Sequence, residues 1–285
     1  MERIIFDCDN TMGLKFKEID DGLALLYLLG RPDVEILGIT TTFGNGTIDD
    51  VYSQTQSLIA QLDRADIPVH KGEGQRGQES TEAAEFLVET IAAFPNEISL
   101  LATGPLGNLH AASNIFSDFF SNLKQIVCMG GYISQLRIGW REIAELNLSA
   151  DPEASYVVLN APCPVTLMNA QTCLQAAFTW SDLSKLNFWS KKTRRIVQNW
   201  LLTFGIYCGV PQFYLWDLLP AVYLSYPDIF DTNRVRITST LKDLESGTLL
   251  IDSGKDLPQV NMPSTIKDPC RFKELLFEAW KSIQI

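Results

Sequence analysis

Positive charge and histidine are scarce in this chain. Among its 285 residues, 23 Lys and Arg stand against 34 Asp and Glu, which gives a formal net charge of -11, and there are only two histidines. Proteins that bind polynucleotides or anionic membranes usually carry a basic patch. We therefore expect no nucleic acid and no membrane among the partners of this protein.

Long apolar runs and paired cysteines are also missing. The longest early apolar run, Leu23–Leu29, is far shorter than the roughly 20 residues that span a bilayer. No Lys/Arg cluster followed by an apolar stretch opens the chain, so no signal peptide is evident. The six cysteines are scattered and form no CxxC pair, which indicates free thiols in a reducing compartment. We expect a cytoplasmic protein.

Segments typical of strands and of helices alternate over the first 176 residues. The strand-like segments are IIFDCD, VEILGITTT, IPVHKG, ISLLATG, QIVCMGG and VTLMNA. The helix-like segments cover residues 21–29, 47–62, 80–94, 106–113 and 151–160. This repeated order predicts an α/β fold, with an open, mostly parallel sheet and helices on both of its faces.

The pattern changes after Ala176. Residues 181–225 are rich in aromatic side chains, and we predict a largely helical region there. VRITST and residues 249–251 predict late strands, and a last helix is predicted from Pro269 onward. Because no linker, repeat or low-complexity segment interrupts the chain, we predict a single domain over residues 1–285.

Four aspartates crowd the start of the chain. Asp7 and Asp9 end the first strand-like segment, and Asp20 and Asp21 open the first helix. Side chains alternate along a strand, so we expect Asp7 and Asp9 to point the same way. Like charges repel, and the usual reason to gather four of them is a divalent cation. A helix N-cap is the simpler explanation for Asp20.

Other chemically capable residues follow later strand ends. Gly44-Asn45 follows ITTTF, Thr103 follows LLA, and Met129 ends QIVCM. Glycines at such places let the backbone face a ligand. Glu145 and Asn147 lie two residues apart in AELNLSADPEA, and Trp216 precedes Asp217 in WDLLPAV. In isolation, Thr103 and Asp217 would be helix caps, and Trp216 a core residue.

Taken in order, these motifs resemble the nucleoside hydrolases, which cleave the N-glycosidic bond of ribonucleosides. The family pattern is a strand ending in DxD followed by DD at a helix start. ITTTFGN, ATGPLGNL, CMGGY, AELNLSADPEA and WDLLPAVYLSYPD resemble its later motifs in order and spacing. The resemblance runs from Arg3 to beyond Asp228. It implies a nucleoside substrate and, as is common in the family, a homodimer or homotetramer.

The resemblance also implies a Ca²⁺ site and a set of substrate contacts. The carboxylates of Asp9, Asp21 and Asp217 and the backbone carbonyl of Thr103 would bind the ion, with Asp7 in support. Oxygen ligands of this kind suit Ca²⁺. Asp9 would also accept the proton of the attacking water, which makes it the catalytic residue. The implied substrate contacts are Asp20, Asn45, Met129, Glu145, Asn147 and Trp216.

The residue before the last calcium aspartate bears on the choice of substrate. Many members of the family carry a histidine there as a candidate general acid, whereas purine-preferring members carry Trp. This chain has Trp216, and its histidines, His70 and His110, lie outside the motifs. We therefore predict a preference for purine nucleosides, with the base stacked on Trp216.

Three features depart from the family pattern. NTMGLKFKEI separates Asp9 from Asp20, about seven residues more than is usual, and must loop out for the carboxylates to converge. Lys15 and Lys17 in this segment are expected to face solvent. The loop after the third strand has no histidine, and Gly139 stands where many members have an Asn.

Two rival functions follow from the same residues. DCDNT fits the DxDxT motif of haloacid-dehalogenase-like phosphatases, in which Asp7 would accept the phosphoryl group, Asp9 would be the acid and Mg²⁺ would be the metal. That fold also needs a late acidic pair, and none follows a later strand. The second rival is a non-catalytic nucleoside or ribose sensor on the hydrolase fold.

Overall fold

The central element is a twisted, mixed sheet. The computed structural model describes residues 1–252 and 260–285, and nine strands of this part form the main sheet in the order β12-β11-β13-β8-β5-β4-β1-β2-β3. Its strands are β1 (Glu2–Cys8), β2 (Val34–Thr41), β3 (Val69–Lys71), β4 (Ile98–Ala102), β5 (Gln125–Met129), β8 (Val165–Met168), β11 (Arg234–Ile237), β12 (Ile251–Asp252) and β13 (Val260–Asn261). In this spatial order, each neighbouring pair from β13 through β8, β5, β4, β1 and β2 to β3 is parallel. Strand β11 pairs antiparallel with both β13 and β12.

Helices cover both faces of this sheet. They are α1 (Asp20–Leu29), α2 (Ile48–Gln61), α3 (Glu82–Ala93), α4 (Gly107–Ile115), α5 (Asn147–Ala150), α6 (Pro152–Leu159), α7 (Ala170–Cys173), α8 (Trp180–Lys185), α9 (Lys191–Cys208), α10 (Leu218–Ser225), α11 (Leu241–Leu244) and α12 (Pro269–Lys281). The α/β fold with a mostly parallel sheet, predicted from the alternating segments, is confirmed.

The two sides of the sheet bury two separate apolar cores. Strand alternation places Ile4 and Phe6 of β1 in the core that α1, α9, α10 and α12 cover. Ile5 points the other way, into the core under α3, α4 and α6. This is the pattern expected when a parallel strand is buried on both faces.

The aromatic region differs from its prediction in one respect. Residues 181–225 contain a strand, β10 (Gln212–Tyr214), which pairs with β9 (Ala177–Thr179) in a short antiparallel ribbon. The rest of the region is largely helical, as predicted, with α8, α9 and α10. The register places Phe213 opposite Phe178, and the two buried rings lie 4.9 Å apart. A second ribbon, β6 (Leu136–Ile138) with β7 (Arg141–Ile143), was not predicted.

The last helix holds the first one in place. Trp280 of α12 is fully buried, and its indole N–H donates to the carbonyl oxygen of Leu23 in α1 at 3.1 Å. Its ring also packs on Trp189. Within residues 1–252 and 260–285, no helix is both long and apolar enough to cross a bilayer.

Removing this contact should loosen α1. We expect Trp280→Ala to lower the free energy of unfolding by about 3–5 kcal/mol, the usual cost of deleting a large buried ring. The matched control is Trp180→Ala, because the Trp180 side chain is 42% exposed. Denaturant unfolding of both variants checks the prediction, and an equal loss in the two would contradict it.

Candidate active site

The site lies at the carboxyl ends of the central parallel strands. The chain leaves β1, β2, β4 and β5 at this edge, and the start of α1 points back towards it. In open α/β sheets, ligands bind at this edge. Four of the five site aspartates of the sequence analysis meet here, and the side chains of all five are buried.

Asp9 lies just beyond the last residue of β1 and is held by Asn45. The Asn45 backbone N–H donates to Asp9 Oδ2 at 2.6 Å, and the Asn45 side-chain amide donates to Oδ1 at 3.3 Å. The neighbouring Gly44 has a φ of +152°, and a Cβ there would lie 2.1 Å from Asp9 Oδ2. Glycine is required at this position for the turn to approach the carboxylate so closely.

Asp7 has a supporting position beneath the cluster. Its Oδ2 accepts hydrogen bonds from the Thr40 hydroxyl at 2.6 Å and from the Asn108 amide at 2.8 Å. Burial raises the pKa of Asp7 to about 7. The side chains of Asp7 and Asp9 have no hydrogen-bond partner in common in the described part of the chain.

Asp21 links the start of α1 to the end of β4. Its Oδ1 accepts the Thr103 hydroxyl at 2.7 Å, and its carboxyl group is in hydrogen-bonding contact with that of Asp9. Two carboxyl groups make such a contact only when a proton or a cation lies between them. Burial raises the pKa of Asp21 to about 6. Thr103 therefore does not cap α4, whose N-cap is Leu106.

Asp20 and Asp217 complete the cluster from opposite ends of the chain. The Asp217 backbone N–H is 3.4 Å from Asp20 Oδ2, and Asp20 Oδ1 is buried without a hydrogen-bond partner. Asp20 lies inside α1, whose N-cap is Ile19, so the cap explanation for it does not hold. Asp217 occupies the N-cap position of α10 but makes no side-chain cap hydrogen bond. Neither carboxylate is used to cap its helix, and Asp20 Oδ1 remains available for a ligand among the described residues.

The acidic cluster has the properties of a cation site. Asp20, Asp21 and Asp217 each offer one oxygen, and these three oxygens lie within 4.8 Å of one another. Burial, followed by the charges of the neighbouring aspartates, raises the pKa of Asp217 well above its ordinary value, and burial is also the main cause of the raised pKa of Asp9. An all-oxygen, buried and repelling set of ligands fits a hard divalent cation such as Ca²⁺ or Mg²⁺.

Asn147 and Glu145 join the cluster to the end of β5. The Asn147 amide donates to the Thr103 carbonyl oxygen at 2.7 Å and to the Met129 carbonyl oxygen at 3.1 Å. Glu145 accepts backbone N–H groups from Gly131 (3.0 Å), Leu148 (2.8 Å) and Ser149 (2.7 Å). Asn147 thus keeps its side-chain oxygen free, whereas most of the acceptor capacity of Glu145 is used by the backbone.

A cavity of about 200 Å³ adjoins these groups. Its lining includes the polar residues Asp20, Asn45, Thr103, Glu145, Asn147 and Asp217, together with Met129. It also includes the rings of Tyr132, Trp200, Phe204, Tyr207 and Trp216. Four of these five rings come from residues 189–216. A long aromatic helix does not reveal which of its rings face a cavity and which face the core.

Sequence reasoning missed one acidic residue of this cavity. Glu18, near the end of the inserted segment, lines it, and the Trp216 indole N–H donates to its carboxylate. Lys17 of the same segment is exposed, as expected, and its ammonium group donates to the Asn45 carbonyl oxygen at 2.7 Å. The only signal for Glu18 in the sequence was its position as an acidic residue two places before Asp20.

Comparisons with known proteins agree with this geometry. The family model described as "Inosine-uridine preferring nucleoside hydrolase" matches residues 4–274. Uridine nucleosidase 1 of Arabidopsis thaliana is 28% identical over 89% of this chain and 82% of the relative. Pyrimidine-specific ribonucleoside hydrolase RihA of Shewanella oneidensis is 26% identical over 87% of this chain and 86% of the relative.

Solved structures show the same fold. A plant nucleoside hydrolase, PpNRh1, superposes with a TM-score of 0.85 at 21% identity, over 98% of this chain and 99% of the other. A purine-preferring ribonucleoside hydrolase from Gardnerella vaginalis superposes with a TM-score of 0.86 at 18% identity, over 98% of both chains.

The repulsion within the cluster should lower the stability of the metal-free protein by a measurable amount. A carboxyl group whose pKa is raised in the folded state stabilises the fold at low pH and loses that contribution as pH rises past 3.8, its ordinary pKa. We therefore expect Asp217→Asn, in chelator, to raise the melting temperature, and to do so more at about pH 8 than at about pH 5. Thermal unfolding checks this, with the exposed Asp118→Asn as control. A lower melting temperature for Asp217→Asn at pH 8 would contradict it.

Proposed function

Because the chain belongs to the inosine-uridine preferring nucleoside hydrolase family and is therefore a hydrolase of ribonucleoside N-glycosidic bonds, we propose that it needs Ca²⁺ and favours purine nucleosides. The observation that carries the proposal is the buried triad of Asp20, Asp21 and Asp217 beside a cavity whose far side is aromatic. One half of this cavity suits a polar sugar, and the other half suits a flat base.

We propose that the carboxylates of Asp9, Asp21 and Asp217 and the carbonyl of Thr103 hold the ion. Asp21 and Asp217 belong to the triad, and the Asp9 carboxyl group contacts that of Asp21. The Thr103 carbonyl accepts the Asn147 amide, but a carbonyl oxygen has two lone pairs and keeps one for a cation. When bound, Ca²⁺ lowers the pKa of a nearby water and attracts the hydroxyl oxygens of ribose.

In this proposal other steps, namely proton transfer and binding of the ribose, are carried out by residues of the chain. Asp9, oriented by its two hydrogen bonds from Asn45, accepts the proton of the attacking water. Asp20, through its unpartnered Oδ1, and the free oxygen of Asn147 hydrogen-bond the ribose. Met129 and Glu145 line the sugar side of the cavity. Positive charge grows on the sugar as the bond to the base breaks, and the surrounding carboxylates stabilise it.

Trp216 supports the proposed preference for purines. Its indole lines the cavity immediately before Asp217 in the chain, so a base stacked on it lies next to the sugar site. The names of relatives point both ways, because those most similar in sequence include uridine- and pyrimidine-specific enzymes, whereas one structural neighbour is purine-preferring. The larger face of a purine gains more from stacking on the indole.

The structure argues against the phosphatase alternative. Asp7, which would have to accept a phosphoryl group, is fully buried, and its Oδ2 is engaged by Thr40 and Asn108. It therefore has no access to a phosphomonoester. We further propose that the protein is a cytoplasmic enzyme of nucleoside salvage. It would consist of a single domain and assemble as a homodimer or homotetramer.

The proposal is tested by measuring ribose release from a panel of nucleosides, with and without chelator. We expect inosine, guanosine and adenosine to be cleaved faster than uridine and cytidine, and chelated enzyme to regain activity with Ca²⁺. Asp9→Asn should lower kcat by about 10²–10⁴-fold, the usual contribution of a general base. Full activity in chelator, or ribose release unaffected by Asp9→Asn, would contradict the proposal.

The stacking role of Trp216 has its own test. Because base stacking on an aromatic ring contributes about 1–3 kcal/mol, Trp216→Ala should lower kcat/KM for inosine about 5- to 150-fold. Trp216→Phe keeps a ring and should lose less. Steady-state kinetics on inosine and uridine check this, with Trp180→Ala as the control. A wild type that cleaves only pyrimidine nucleosides would contradict the stacking argument.

A further inference from the structure

The inserted segment places an acidic side chain in the cavity. Lys15, Phe16 and Lys17 are exposed, but the chain turns at Phe16, which has a φ of +61°, and Glu18 lines the cavity. The Thr11 hydroxyl donates to the Glu18 carbonyl oxygen at 2.9 Å and ties the two ends of the loop together. The position of Glu18 is therefore set by the fold of the insertion.

The Glu18 carboxylate is poorly satisfied by the protein. In residues 1–252 and 260–285 it forms no ion pair, and the Trp216 indole N–H is the one protein donor that favours its charged form. A carboxylate has about four acceptor positions, so most of its capacity remains for a ligand. Such a group is costly for the fold alone.

The position of Glu18 indicates which part of the substrate it meets. Its carboxylate lies beside Trp216 and close enough to Asp20 and Asp21 for their charges to repel. The rings of Trp200, Phe204 and Tyr207 on α9 line the same cavity. Glu18 thus lies between the acidic cluster and Trp216, against which the base lies in the function proposed above.

We propose that Glu18 is a specificity-determining residue that accepts a hydrogen bond from an N–H group of the nucleobase while the base lies against Trp216. This inference rests on the proposed function and adds a base contact to it. A site that hydrogen-bonds a substrate N–H discriminates strongly against an analogue without one, because its buried acceptor is left unpaired. Bases with an N–H edge, such as hypoxanthine and guanine, are then favoured over unsubstituted purine.

The test compares three substrates on the Ca²⁺-loaded protein. Inosine offers a base N–H, purine riboside lacks one, and p-nitrophenyl riboside has no base at all. We expect Glu18→Ala to lower kcat/KM for inosine at least tenfold and to change the other two less than about twofold. Glu18→Gln keeps an acceptor and the shape of the side chain. Its kcat/KM for inosine should therefore lie between the values for Glu18→Ala and wild type. The matched control is Glu142→Gln, since Glu142 is exposed on β7 outside the cavity lining.

The outcomes separate this inference from the function on which it rests. An equal loss on all three substrates would show that Glu18 acts on the sugar or the acidic cluster, and no loss on inosine would show that it has no role; either result overturns the inference while nucleoside hydrolysis stands. A wild type that releases ribose from no nucleoside would instead overturn the proposed function.

Discussion

Repulsion among buried carboxylates is the constraint on which the rest of this structure depends. Asp9, Asp20, Asp21 and Asp217 meet at one edge of the sheet, and burial raises the pKa of each, with the charge of neighbouring aspartates adding to the effect at Asp9, Asp20 and Asp217. The fold tolerates this repulsion because apolar packing holds in place the elements that carry the carboxylates. Helix α1 is buried along nearly its whole length, and Trp280 fastens α12 to it. The energy stored in this repulsion is what a divalent cation would recover on binding.

The inserted segment between Asp9 and Asp20 is accommodated without moving the carboxylates apart. Its ends are joined through Thr11 and Glu18, and Lys17 donates to the carbonyl of Asn45, the residue that orients Asp9. The extra residues are displaced to the surface, where Phe16 is 80% exposed. The result is a site in which Glu18 adds an acidic side chain beside Trp216. Gly139, another departure from the family pattern, has a φ of +55°, and a Cβ there would lie 1.9 Å from the Cys208 carbonyl oxygen, so glycine is required.

The cavity combines a polar and an aromatic lining, and the chain brings the two together at one point. Trp216 and Asp217 are adjacent residues, and both line the cavity. Since parallel strands end at one edge, Asn45, Thr103 and Met129 reach the cavity from the ends of β2, β4 and β5, whereas the rings of Trp200, Phe204 and Tyr207 come from α9.

The sequence by itself determined the β-α order, the mostly parallel sheet and the acidic residues at its edge, because strand and helix periodicity and the DxD and DD motifs are local patterns. It also indicated Asn45, Thr103, Asn147 and Asp217, through the order of motifs along the chain. Only the tertiary structure decided which of these side chains cap helices and which face the cavity: Thr103 bonds Asp21, Asp217 leaves its helix uncapped, and Glu145 is mostly engaged by backbone groups. The β9–β10 ribbon, the three cavity rings of α9 (Trp200, Phe204 and Tyr207) and Glu18 were likewise beyond sequence reasoning. Each depends on contacts between residues distant in the chain, and such contacts leave no local periodic signal.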